Sequence, residues 1–277
     1  MISKTDDPKR HRGIYLLPNM LTAAALFSGF YAIVAAMQGR FGPAAIAVFI
    51  AMVLDGLDGR VARLTHTESA FGEEFDSLAD MVSFGLAPAL IMYEWALSGM
   101  ANLGWVPAKL GWLAAFLYAA CAALRLARFN TQLGSADKRY FLGLPSPSAA
   151  AIMVGLVWLS DDMGLYGSQL LWVAFLITVG TGVLMVSNIL YYSFKQIDLR
   201  GRVPFVAIIA VVLVLIFASL DPPKMLFTGF LLYGLSGPVL YLLRLRQRAK
   251  RRALGLSESV GKPKGAAQDQ KHSDNSS

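Results

Sequence analysis

Four aspartates interrupt two consecutive apolar runs: Asp55 and Asp58 in AVFIAMVLDGLDGRVARL, then Asp76 and Asp80 in FGEEFDSLADMVSFGLAPALIMY. A carboxylate at the centre of a membrane helix costs roughly 3 kcal/mol on insertion scales. Four of them so close together need a compensating charge, and a divalent cation is one that all can share. Asp55 and Asp58 are three apart and Asp76 and Asp80 four apart, so each pair lies on one helical face. A short polar turn over residues 65–69 joins the runs, which predicts an antiparallel helical hairpin. Counted outward from that turn, Asp58 pairs in height with Asp76 and Asp55 with Asp80, about 10–20 Å above the tip at a rise of about 1.5 Å per residue. The expectation is a single cluster of four acidic oxygen donors, a set suited to Mg²⁺, Mn²⁺ or Ca²⁺.

Small residues accompany the carboxylates. Gly56, Gly59 and Ala62 lie on the first helix and Gly72 opens the second. In membrane helices such residues let neighbouring helices approach closely. Beside a metal cluster they also leave room for a bulky ligand, which is expected at Gly59 and Ala62, next to Asp58. Arg63 follows at the end of the run, placed as an interface anchor or as a clamp for a ligand phosphate.

The elements that position these groups are membrane helices. Of 277 residues, 56% are hydrophobic and only 16% charged, where a soluble domain carries about 25% charged residues. The mean hydropathy is +0.52, and the apolar runs have helix rather than strand length. The fold class expected is therefore all-α, a polytopic membrane bundle of about eight spans near 17–37, 43–64, 75–98, 110–130, 147–160, 168–190, 203–220 and 225–243. The first span lacks a clean small-residue cleavage site and is expected to be a retained helix. With alternating spans, one side receives Lys4, Lys9, Arg10, Arg12, Arg60, Arg63, Arg125, Arg128, Lys138, Arg139, Lys195, Arg200 and Arg202. It also receives the cluster Arg244, Arg246, Arg248, Lys250, Arg251 and Arg252, whereas the other side receives Arg40, Lys109 and Lys224. The positive-inside rule then puts both termini in the cytoplasm, and the plasma membrane of a prokaryote is the expected location. The expected division is a cytoplasmic segment at 1–14, a transmembrane domain at 15–245 and a basic, then polar, disordered tail at 246–277. Cys121 is the single cysteine, so no intramolecular disulfide is possible.

Taken whole, the pattern reads Asp55-x2-Asp58-Gly59-x2-Ala62-Arg63-x8-Gly72-x3-Asp76-x3-Asp80. It resembles the motif of the CDP-alcohol phosphotransferases at every defining position, and the resemblance covers the first six expected spans. It implies a six-helix catalytic core in which a phosphoryl-linked group passes from a CDP-activated donor to an alcohol, releasing CMP. By the same resemblance Asp55, Asp58 and Asp76 bind two divalent ions, Mg²⁺ or Mn²⁺, with Asp80 completing the site. Asp80 is also the implied general base. Asn19, Thr22, Asp55, Gly59, Ala62, Arg63 and Gly72 are the implied CDP-binding set, and a homodimer is the implied assembly. The chemistry is reasonable on its own terms. Negative charge grows on the leaving CMP and cations offset it, while an alcohol is a poor nucleophile that a carboxylate base assists.

Several segments outside the motif resemble the phosphatidylserine synthase branch of that family: LPNMLT (17–22), SLADMVSFGLAPALIMY (77–93), AALRLARFNT (122–131), FLGLPSPSAA (141–150) and VSNILYYSFKQI (186–197). That branch implies CDP-diacylglycerol and L-serine as substrates, with membrane lipids around the chain; no nucleic-acid partner is expected. A serine carboxylate needs a cation, and Arg125, Arg128 and Lys195 are the candidates, with Ser83 and Asn130 adding hydrogen bonds. Two other readings stand beside this one. An acceptor such as glycerol 3-phosphate or inositol phosphate would draw on several basic residues. A cation transporter would also use an intramembrane acidic cluster, but the matching halves expected of many transporters are not seen in the sequence.

Overall fold

The computed structural model describes residues 16–65, 67, 69–132, 140–192 and 220–253. Helices α1 (Leu16–Met37) and α2 (Phe41–Thr65) are joined by a tight turn at Gly39, whose φ of 73° lies in the left-handed region that favours glycine. Helix α3 (Ala70–Asp80) opens at Ser69, whose backbone is extended and whose side-chain oxygen accepts the Gly72 N–H at 3.1 Å, an N-cap arrangement. The same rod continues through a π-helical segment at Met81–Leu86, α4 (Ala87–Trp95) and a 3-10 turn at Leu97–Leu103. Then come α5 (Trp105–Gln132), α6 (Ser146–Asp162), α7 (Leu171–Val186) and α8 (Pro222–Ala253).

Five helical runs among the described residues are long and apolar enough to cross a membrane: Leu17–Met37, Phe41–Thr65, Ala70–Leu103, Trp105–Thr131 and Pro222–Gln247. Seven of the eight expected spans coincide with helices, and the expected span at 203–220 lies almost wholly outside the described residues. The expected boundary at 245 falls inside α8. The chain divides into two compact units at Pro238, also within α8. The first unit carries the helices from α1 onward; in the second, Val239, Leu240, Tyr241, Leu242 and Leu243 are exposed apolar residues.

Helix α6 has a different role from its neighbours. It is 17 residues long, about 26 Å at a rise of about 1.5 Å per residue. Every residue from 149 to 157 is buried. Helices α2, α4 and α7 pack around it, and Gly155 lets the backbone of Phe227 on α8 come close. A helix apolar on all sides and shielded on all sides is the centre of the bundle.

Small residues set the spacing elsewhere. Helix α1 lies against α2, and Ala25, Ala32, Ala35 and Ala36 of α1 and Ala44, Ala45, Ala47 and Ala51 of α2 are all buried. The Ser28 hydroxyl donates to the Ala47 carbonyl at 2.7 Å across this interface. On its other side α1 meets α3, the π segment and α4. Helix α1 thus lies against both arms of the expected hairpin.

One short β-ladder departs from the helical pattern. Strands β1 (Tyr140–Leu142) and β2 (Leu190–Tyr192) pair antiparallel, with Phe141 opposite Tyr191. The buried Tyr191 donates its hydroxyl to the Gly234 carbonyl at 2.9 Å and rests against Gly237 and the Tyr233 ring. The ladder ties the end of α7 to α8 and to the loop that leads into α6.

The closest approach between α1 and the π segment is at Gly29, where a Cβ would stand 2.8 Å from Ser83 Cα. Gly29→Ala is expected to destabilise the protein by about 1–3 kcal/mol through overpacking, read as a lower thermal midpoint in detergent. An unchanged midpoint would mean that this contact is loose.

Candidate metal and substrate site

The two aspartate-bearing helices deliver three of the four carboxylates to one place. Asp55, Asp76 and Asp80, each partly buried, present oxygens that all lie within 4.8 Å of one another. Ligand oxygens on opposite sides of a single hard ion stand about 4–5 Å apart, given bonds of about 2.0–2.6 Å. The spacing and the all-oxygen donor set therefore fit a divalent cation. Among the described residues, Arg125 of α5 is the cation that acts electrostatically on Asp80.

Asp58 is not in this group among the described residues. It is buried, and Thr22 on α1 donates its hydroxyl to Asp58 Oδ2 at 2.7 Å. The reason is helical phase. Three residues at about 100° each fall some 60° short of a full turn, so Asp58 points to the flank of α2 that α1 occupies. The expected cluster of four is thus a cluster of three, with the fourth carboxylate holding α1.

The small residues divide by environment. Among the described residues, a Cβ at Gly56 or Gly59 would meet nothing within 4 Å, so space is open beside both. Gly72 is different: a Cβ there would stand 3.3 Å from Asn19 Oδ1 and 3.1 Å from Ser69 Oγ. Asn19 therefore sits at the first turn of α3, one turn before Thr22 on α1. Ala62 is half-buried, and its carbonyl accepts the Thr67 N–H at 3.0 Å. Arg63 is exposed at the end of α2.

The expected acceptor-binding residues scatter more. Arg125 is half-buried, bonds through Nη1 to the hydroxyl of the fully buried Ser146 at the start of α6, and has no hydrogen-bond partner at Nε among the described residues. Arg128 donates to Asn188 Oδ1 at 2.9 Å, and Asn130 donates to Ser77 Oγ at 3.0 Å, linking the end of α5 to α3. Ser83 is turned toward α1, donating to the Ala25 carbonyl at 3.2 Å. Lys195 lies outside the described residues.

Three participants escaped the sequence reading. Ser146 lies in the quoted FLGLPSPSAA segment, where nothing singled it out from the neighbouring serine. Tyr118 is fully buried, and its hydroxyl donates to the Phe84 carbonyl at 2.9 Å. Tyr233 on α8 lies within electrostatic reach of Arg125. An aromatic residue in an apolar span carries no signal of such a partner.

Comparison with known proteins places this arrangement. The profile of the family described as CDP-alcohol phosphatidyltransferase matches residues 15–184. A CDP-diacylglycerol–serine O-phosphatidyltransferase of Helicobacter pylori is 37% identical over 225 residues, 80% of this chain and 90% of that protein. The enzyme of the same name from Mycobacterium leprae is 35% identical over 222 residues, 78% of this chain and 70% of that protein. An archaetidylserine synthase of Methanothermobacter thermautotrophicus is 34% identical over 185 residues, 66% of this chain and 72% of that protein. The match spans α1 to α7 and includes every residue of the carboxylate cluster, so the chain belongs to the CDP-alcohol phosphatidyltransferase family.

Proposed function

We propose that this protein transfers the phosphatidyl group of CDP-diacylglycerol to the hydroxyl of L-serine, giving phosphatidylserine and CMP. The observation that carries the reading is the convergence of Asp55, Asp76 and Asp80 within 4.8 Å, with Arg125 beside Asp80.

Asp55, Asp76 and Asp80 would hold the divalent metal, Mg²⁺ or Mn²⁺, and a second ion would draw on Asp58 if Thr22 released it. Bound metal would supply charge for the pyrophosphate and for the CMP that leaves it. The open space at Gly56 and Gly59 accepts the CDP part, bordered by Asn19, Thr22, Ala62 and Gly72, with Arg63 at its exposed end for a phosphate. Arg125 binds the serine carboxylate through the guanidinium edge that Ser146 leaves free, which directs the serine hydroxyl toward Asp80. Asp80 takes the hydroxyl proton as the serine oxygen attacks the phosphorus that bears the diacylglycerol. The bond from that phosphorus to the CMP oxygen breaks, and CMP departs with the electron pair. Arg128, Asn130, Ser83 and Lys195 are then supporting candidates around the same pocket.

The basic residues support a cytoplasmic site in the inner membrane of a prokaryote, which suits a donor with lipid tails and a soluble nucleotide head. A homodimer is the proposed assembly, tested by mass measurement in nanodiscs.

The direct assay is CMP release from CDP-diacylglycerol by purified protein with Mn²⁺ or Mg²⁺, offering L-serine or glycerol 3-phosphate. Serine-dependent release is expected, and Asp80→Asn is expected to lower it by about 10²-fold or more. Release with glycerol 3-phosphate alone would overturn the acceptor, and no release with either would return the transporter reading. Arg125→Gln is expected to raise the serine KM by about tenfold or more while the KM for CDP-diacylglycerol stays unchanged; unchanged serine kinetics would remove Arg125 from the pocket. Gly59→Val is expected to raise the CDP-diacylglycerol KM without lowering the thermal midpoint, whereas a loss of stability with normal kinetics would make Gly59 a packing residue.

A further inference from the structure

The rod that carries Asp76 and Asp80 changes its winding at the residue after Asp80. Met81–Leu86 is π-helical, and the Ala87 N–H bonds to the Val82 carbonyl, five residues back. π-Turns inside α-helices are rare. The cause here is in the sequence. Pro88 has no N–H, and its ring crowds the carbonyl four residues earlier, which is that of Phe84. The α-helical donor to Phe84 is therefore missing, in the interior of a membrane span where an unpaired carbonyl is costly.

A side chain from another helix supplies the donor. The Tyr118 hydroxyl on α5 donates to the Phe84 carbonyl at 2.9 Å, and Tyr118 is fully buried. A phenylalanine would fill the same space; the hydroxyl is there for the carbonyl. From the opposite side the turn is held by α1, where Ser83 bonds to the Ala25 carbonyl and Gly29 admits its backbone. Gly85 packs beside Ala122 of α5. Tyr118, Ala122 and Arg125 lie on one face of α5, at i, i+4 and i+7. The contact that catches the turn and the guanidinium that acts electrostatically on Asp80 thus share one helix face, and a shift of the turn along α5 would change the relation of Asp80 to Arg125.

We propose that Tyr118 is a positioning residue: its hydroxyl holds the proline-widened turn through the Phe84 carbonyl and so fixes Asp80 against Asp55, Asp76 and Arg125. The kinetic consequence rests on the function proposed above; the metal-binding consequence does not.

Four proteins test it: the natural chain, Tyr118→Phe, Pro88→Ala and the double variant. Each is assayed for serine-dependent CMP release and for the rise in thermal midpoint as Mn²⁺ is titrated. Tyr118→Phe is expected to lower kcat by about tenfold or more, as a small misplacement of a reacting group does, with the KM for CDP-diacylglycerol unchanged. It is also expected to raise several-fold the Mn²⁺ concentration that gives half the midpoint rise. Pro88→Ala restores an N–H at residue 88, so Tyr118→Phe added to it costs less than in the natural chain. A purely structural tyrosine would lower the midpoint without Mn²⁺ and leave kcat and the Mn²⁺ half-point of the folded protein unchanged, which would overturn the proposal. Equal effects of Tyr118→Phe with and without Pro88 would overturn it too. Should Tyr118→Phe not yield folded protein, Pro88→Ala alone decides: a lowered kcat and a raised Mn²⁺ half-point are expected, and natural values overturn. A natural chain that releases no CMP would defeat the proposed function, while the Mn²⁺ half-points would still decide the role of Tyr118.

Discussion

Three carboxylates whose oxygens gather within 4.8 Å of one another, on two helical runs long and apolar enough to cross a membrane, are the constraint on which the rest of the structure depends. Two like charges about 4 Å apart repel by about 4 kcal/mol at the effective dielectric of partly exposed protein sites. Three such pairs are a cost on the scale of a whole domain's stability. Among the described residues, Arg125 is the cation that acts on Asp80, and a divalent cation would add positive charge that all three carboxylates can share. The helices must hold the carboxylates together when no ion is present, and the packing around them is built for this. Alanines bring α1 onto α2, Gly29 brings α1 onto the π segment, and α6 fills the centre behind them.

Helix α1 carries more of the site than its composition suggests. It has no charged residue, yet Thr22 engages Asp58, Asn19 meets the first turn of α3, and the Ala25 carbonyl holds Ser83. These contacts from one helix reach both aspartate-bearing elements.

The sequence made the carboxylate pairs legible because helical spacing is local. Asp55 with Asp58 and Asp76 with Asp80 could be put on faces, and the polar turn at 65–69 put the two helices side by side. It could not resolve the 60° between Asp55 and Asp58, because the choice depends on where α1 lies. Nor could it tell a central helix from a lipid-facing one, since 149–157 is as apolar as a span. Pro88 in an apolar run signals an irregularity, but its compensation comes from Tyr118, 34 residues from Phe84. The β1–β2 ladder joins residues that are distant in sequence and has no pattern beyond two tyrosine-containing stretches. Ser83 and Arg125 were both expected around the serine, one adding a hydrogen bond and the other a cation. The structure separates them, one into a helix contact and the other beside Asp80.

The most direct test of the account is to locate the ion. Anomalous scattering from crystals grown with Mn²⁺ would do so without reference to catalysis. A peak is expected between Asp55, Asp76 and Asp80, at about 2.1–2.4 Å from a carboxylate oxygen of each, that is lost in Asp76→Asn crystals. Manganese absent from this position, or bound elsewhere in the chain with the three carboxylates empty, would contradict it.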